Sequence, residues 1–149
     1  MPDITITCPD GEFSAYLASP AGNSGGGVLV IQEIFGVNVH IREVVDGYAE
    51  AGYFAIAPKI FDRVERDIEL GYEEADMAQG ISLAFEKLDR AAALEDIQAA
   101  INTAAGHGKV GVVGYCFGGL LTWLFARSRI HIGASGLVFG YLGYLLARA

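Results

Sequence analysis

The run Gly114-Tyr115-Cys116-Phe117-Gly118 sets one thiol between an apolar β-type run and an apolar helical stretch. With serine in the same frame, this is the nucleophile elbow, a tight strand-to-helix turn that lifts a reactive atom clear of a sheet. A thiol with an ordinary pKa of about 8.5 is mostly protonated at neutral pH, so a nucleophilic cysteine needs assistance. A helix starting after Gly118 favours the thiolate, and a neighbouring carboxylate can take the proton. Glu33 is the candidate base, because it directly follows the apolar run Val28-Leu29-Val30-Ile31-Gln32. Taken alone it would read as a surface glutamate; its place at a strand end beside the thiol singles it out. The backbone N–H of Phe117 points where an oxyanion would form. In elbow geometry the second donor comes from the loop after an earlier strand, which assigns it to the N–H of Ile34.

These residues need a scaffold. Ile4 to Cys8 and Phe13 to Ala18 are short β-type runs around Pro9-Asp10-Gly11, a turn signal, and predict a hairpin. Val28 to Ile31 is a continuous apolar run of the kind a strand buried on both faces shows. Asn38 can cap a helix carrying Ile41, Val44, Val45 and Tyr48, with Gly52 as terminator. Tyr53 to Ala57 follows as a strand closed by Pro58. A helical region from Tyr72 to Leu88 and a second helix from Asp89 to before Gly106 lead to the strand Lys109 to Gly114. Strands alternating with helices predict an α/β fold, a mostly parallel sheet with helices on both faces behind an N-terminal antiparallel hairpin. Catalytic groups of such sheets gather at the C-terminal strand ends, where Glu33 and Cys116 both fall.

Charge and cysteine usage narrow the function. The net charge is −8, and all 18 acidic residues lie at or before Asp96. No Lys/Arg cluster of the kind phosphate binding needs is visible, which argues against nucleic acid. Cys8 and Cys116 stand far apart in unlike contexts and fit neither a disulfide framework nor a zinc-ligand spacing, so no metal is expected. The glycine cluster Gly25-Gly26-Gly27 precedes its strand and lacks a Gly-Lys-Ser/Thr ending, so it reads as a surface loop and no cofactor is expected. The first residues show no secretion signal, and the expected setting is a reducing cytoplasm.

Two motifs then carry a resemblance. Gln32-Glu33-Ile34-Phe35-Gly36-Val37-Asn38 and Gly114-Tyr115-Cys116-Phe117-Gly118-Gly119, with Ala57-Pro58 and Phe61-Asp62-Arg63 between them, resemble the dienelactone hydrolase (carboxymethylenebutenolidase) family over residues 1–129. The resemblance implies an α/β-hydrolase fold and a Cys-His-Asp triad that opens an unsaturated lactone through an acyl-enzyme. Cys116 matches its nucleophile and Glu33 the glutamate that holds and deprotonates the thiol. Family members also hold the substrate carboxylate with arginines, for which Arg63 and Arg66 are candidates by position. The family's Asp and His lie well downstream of the nucleophile, so the C-terminal part of the fold and both triad partners are expected to be missing. His40, His107 and His131 read as surface or packing residues rather than relocated bases.

Residues 130–149 break the pattern, with no charge from Ile132 to Ala147. Gly133-Ala134-Ser135-Gly136 is similar to the serine-bearing helix of rhomboid intramembrane proteases, without that family's histidine. A domain over residues 1–129 followed by an apolar, Gly-rich tail is the expected organisation. Three function classes follow: a cysteine-dependent hydrolase of a small-molecule ester or lactone, impaired by loss of its triad partners; a non-catalytic interaction module; and a membrane-contacting fusion fragment. With further strands missing beyond it, Lys109 to Gly114 would form an open edge, inviting self-association.

Overall fold

The computed structural model describes residues 3–116 together with Gly118, Gly119 and Leu121. Phe117, His131, Ser135 and the tail from residue 130 onward lie outside the described residues.

β1 (Asp3–Cys8) and β2 (Gly11–Ala18) form the expected antiparallel hairpin, with Cys8 opposite Gly11 across Pro9-Asp10. Proline presets φ at the first turn position, which fixes the register of the pair. β3 (Gly27–Ile31) is buried along its whole length. It leads through a loop into α1 (Val39–Glu50), where Asn38 Oδ1 accepts the Ile41 N–H at 3.3 Å. Gly52, at φ +99°, ends that helix as expected. β4 (Phe54–Pro58) and a 3₁₀ turn (Ile60–Arg63) follow.

The helical region expected from Tyr72 to Leu88 starts later and is not regular throughout. α2 (Glu74–Ile81) begins two residues later, where Glu73 and Asp76 form a reciprocal capping box, and gives way to π-helical turns from Ser82 to Lys87. The wider turns leave both Leu83 and Ala84 buried. α3 (Arg90–Ala104) starts at Asp89, whose Oδ1 accepts the N–H groups of Ala91 and Ala92 at 2.9 and 3.2 Å. β5 (Val110–Gly114) completes the described sheet.

The strand order is β1-β2-β4-β3-β5, antiparallel between β1, β2 and β4 and parallel between β4, β3 and β5. Alternate residues of the central strands divide into two cores. Leu29, Ile31, Phe54 and Ile56 pack with Ala93, Ile97, Ala100 and Ala104 of α3. Val28, Val30, Ala55 and Ala57 pack with Ile41, Val45 and Ala49 of α1. The two helices thus cover opposite faces, because the chain leaves β3 toward β4 on one side and returns past it to β5 on the other. That reversal makes the crevice above the carboxyl ends of β3 and β5 the switch point where open α/β sheets place their sites. Among the described residues β5 pairs with β3 alone, and no helix is long and apolar enough to cross a membrane.

Candidate active site

The ends of β3 and β5 run side by side, with Ile31 opposite Gly114. Two residues beyond Gly114 stands Cys116, exposed, with its backbone at φ +53°. A non-glycine residue in the left-handed region costs on the order of 1 kcal/mol or more, and persists only where its surroundings enforce it. Here the turn is tight: the Gly118 N–H donates to the Tyr115 carbonyl at 2.9 Å, and helical backbone follows at Gly118, Gly119 and Leu121. Gly118 rests directly on the end of β3, where a Cβ would run into the carbonyl oxygens of Ile31 and Gln32. The last glycine of the motif is therefore a packing requirement as well as a turn residue.

The facing loop, from Gln32 to Asn38, is held on every side. The Gln32 side chain is fully buried; its Oε1 accepts the Ile60 N–H at 2.9 Å and its Nε2 donates to the Glu33 carbonyl at 3.2 Å. Residues 33 to 36 form a turn in which the Gly36 N–H approaches the same carbonyl at 3.4 Å. Gly36 lies at φ +81° against the Ile68 carbonyl, so no other residue fits there. Residues 68 to 72 then brace the loop from outside. The Leu70 N–H donates to the Phe35 carbonyl at 2.9 Å, Asn38 Nδ2 donates to the Leu70 carbonyl at 3.2 Å, and the Phe35 and Tyr72 rings meet edge to face at 4.8 Å. From below, Gly80 of α2 abuts the Ile34 carbonyl.

Glu33 is half-buried, and no hydrogen bond joins its carboxylate to the Cys116 sulfur among the described residues. Its charge does reach the neighbouring Tyr115, whose phenol is pushed above its usual pKa by burial first, then by the Tyr48 hydroxyl and Glu33. The Phe117 N–H lies outside the described residues. His40 is exposed on the first turn of α1; His107 stacks on Phe54 at 3.8 Å next to the start of β5, the opposite end of the strand from Cys116. No group of His, Cys, Asp or Glu among the described residues is placed to share a metal ion.

Arg63 has other business. Its guanidinium donates to Asp96 Oδ1 at 2.7 Å and to Asp10 Oδ1 at 3.1 Å, tying α3 to the β1–β2 turn. Both contacts hold elements of the fold together, so Arg63 serves as a structural link between α3 and the hairpin turn. Arg66 reaches Glu12 at 3.4 Å on the surface. Asp96 also faces the Cys8 sulfur at 3.9 Å, and the Cys8 thiol is pushed above its usual pKa by burial first and by Asp96 second. Since the thiolate is the reactive form, Cys8 should react with iodoacetamide at pH 8 at least about tenfold more slowly than exposed Cys116. Peptide mapping of a time course checks this, and equal rates would contradict it.

Gln32, the brace at 68–72 and the Arg63–Asp96 pair were not legible as parts of this end of the molecule. Gln32 alone left a signal, as an uncharged polar residue closing an otherwise apolar strand run.

The family model for dienelactone hydrolases matches residues 13–143. A carboxymethylenebutenolidase of Pseudomonas putida is 34% identical over 146 residues, covering 95% of this chain and 59% of its own length. A candidate carboxymethylenebutenolidase of Methylorubrum extorquens is 36% identical over 146 residues, covering 94% of this chain and 49% of its own. The chain thus spans about half the length of the curated relatives it matches. The crystal structure of a candidate dienelactone hydrolase from Klebsiella pneumoniae superposes with a TM-score of 0.71 at 31% identity, over 86% of this chain and 54% of that one. With the sheet, the switch-point crevice and both motifs in place, the chain belongs to the dienelactone hydrolase family and has the α/β-hydrolase fold.

Proposed function

We propose that the chain attacks ester or lactone bonds of small molecules through Cys116. The observation that carries this reading is the left-handed backbone of an exposed cysteine at the sheet's switch point, φ +53° on a turn seated against β3. Such strain at an exposed non-glycine residue fits a nucleophile elbow, where the turn lifts the sulfur clear of the strand. In the proposed step Glu33 takes the thiol proton and the thiolate attacks the acyl carbon. The oxyanion so formed accepts from the N–H groups of Ile34 and Phe117, and its collapse breaks the acyl–oxygen bond, giving a thioester on Cys116 and an alkoxide that takes up a proton.

Acylation draws only on residues 33, 34, 116 and 117. Among the described residues neither His40 nor His107 is placed beside Cys116 to help water release the acyl group, so acylation is the step to test. The 149-residue chain mixed with p-nitrophenyl acetate should release a burst of nitrophenol, with a single acetyl group on Cys116 by peptide mass. Absence of that adduct, with Cys116 still open to alkylation, would sink the hydrolase reading and favour the non-catalytic module.

A further inference from the structure

Resting on that reading, we propose that Gln32 is a positioning residue that aims the Ile34 N–H at the oxyanion by pinning the carbonyl at the other end of the same peptide. The Glu33 carbonyl and the Ile34 N–H belong to one planar trans unit, and no cis bond occurs among the described residues. In such a unit the two groups point in opposite directions, so whatever fixes the carbonyl aims the N–H.

Two donors fix it: Gln32 Nε2 at 3.2 Å and the Gly36 N–H at 3.4 Å. Both draw the carbonyl into the turn, which turns the Ile34 N–H outward. The Gln32 amide cannot swap its ends. Its other atom faces the Ile60 N–H at 2.9 Å, a donor that only an oxygen can satisfy, so the NH₂ group must face Glu33. Full burial holds the side chain in this single arrangement. Donation to the carbonyl also polarises the peptide and strengthens the Ile34 N–H as a donor. Downstream, the Ile34 carbonyl is backed by Gly80, so residue 34 is held at both of its peptides. The Gln32 carbonyl also lies against Gly118, so one residue touches both halves of the site.

A structural plug and a positioning residue are separated by chemistry that does and does not form an oxyanion. Acylation of Cys116 by p-nitrophenyl acetate passes through one; alkylation by iodoacetamide, a displacement at a saturated carbon, does not. In Gln32→Met the ratio of the two rates should fall about 10–100-fold, the scale of a lost or misaimed oxyanion donor. Gln32→Glu keeps the acceptor for Ile60 and nearly the same volume but loses its donor when ionised, so its ratio should fall as pH carries the new carboxyl through ionisation. Unchanged ratios in both variants, with wild type acylating, overturn the Gln32 role alone. A wild-type chain that alkylates but never acylates overturns the hydrolase reading and this role with it.

Discussion

Gly118→Ala is expected to lower stability by about 1–3 kcal/mol and to slow Cys116 acylation by about 10²–10³-fold. The added methyl would meet three backbone atoms, the carbonyl oxygens of Ile31 and Gln32 and the carbonyl carbon of Ile31, with no flexible side chain to yield. Relief requires the turn to move off the end of β3. A shift of about 1 Å between reacting groups can cost a hundredfold in rate. The same displacement pulls on Gln32, whose side chain holds the Glu33 carbonyl, so both sides of the site loosen together. Urea unfolding and the nitrophenol burst measure the two effects separately. Near-normal acylation in a destabilised protein would show that Gly118 serves the fold alone.

Arg63→Met is expected to cost about 3–5 kcal/mol at neutral pH, because it strands Asp96, a carboxylate with no exposed surface, in the interior. The pair is already imperfect: Arg63 Nε and Asp96 Oδ2 are buried without partners among the described residues. Burial raises the Asp96 pKa, and Arg63 only partly pulls it back. Without Arg63 the folded-state pKa rises further above the unfolded value. A carboxyl raised in this way binds its proton more tightly in the folded state. Stability is therefore greatest below the unfolded pKa and is lost as pH rises toward the folded one. The deficit in melting temperature against wild type should be small near pH 4 and widen toward pH 7. Adding Asp96→Leu should recover much of the loss, since removing both charges leaves nothing stranded. A pH-independent deficit would show that packing of the arginine stem, rather than charge, is what Arg63 supplies.

The elements were legible where local chemistry decides them. Proline at the hairpin turn, Asn38 and Asp89 at helix starts and the unbroken apolar run of β3 each act within a few residues, and each element formed where those signals stood. The switch-point crevice was legible too, since it follows from alternation of strands and helices. Less visible were contacts whose partners are remote. Asp96 sits on the same helical face as the buried Ala93, Ile97 and Ala100, and its cation comes from a turn 33 positions earlier. Residues 68 to 72 lack periodicity and make their bonds as an irregular strap on the Glu33 loop. The π-helical widening after Ile81 has no local sequence signal, because tertiary packing of Leu83 and Ala84 sets it.

The pairing of β3 with β5 also has a kinetic meaning. Glu33 and Ile34 come from the early part of the described chain and Cys116 from its end, and they are brought together through a parallel ladder between distant strands. Parallel pairing at long sequence separation closes a large loop before it gains contacts, which makes it slow relative to the hairpin and to helix formation. β5 must dock on β3 before Cys116, Glu33 and Ile34 share one crevice. During refolding, acylation of Cys116 is therefore expected to appear after the helical signal is complete, which would make it a clock for the pairing of β5 with β3.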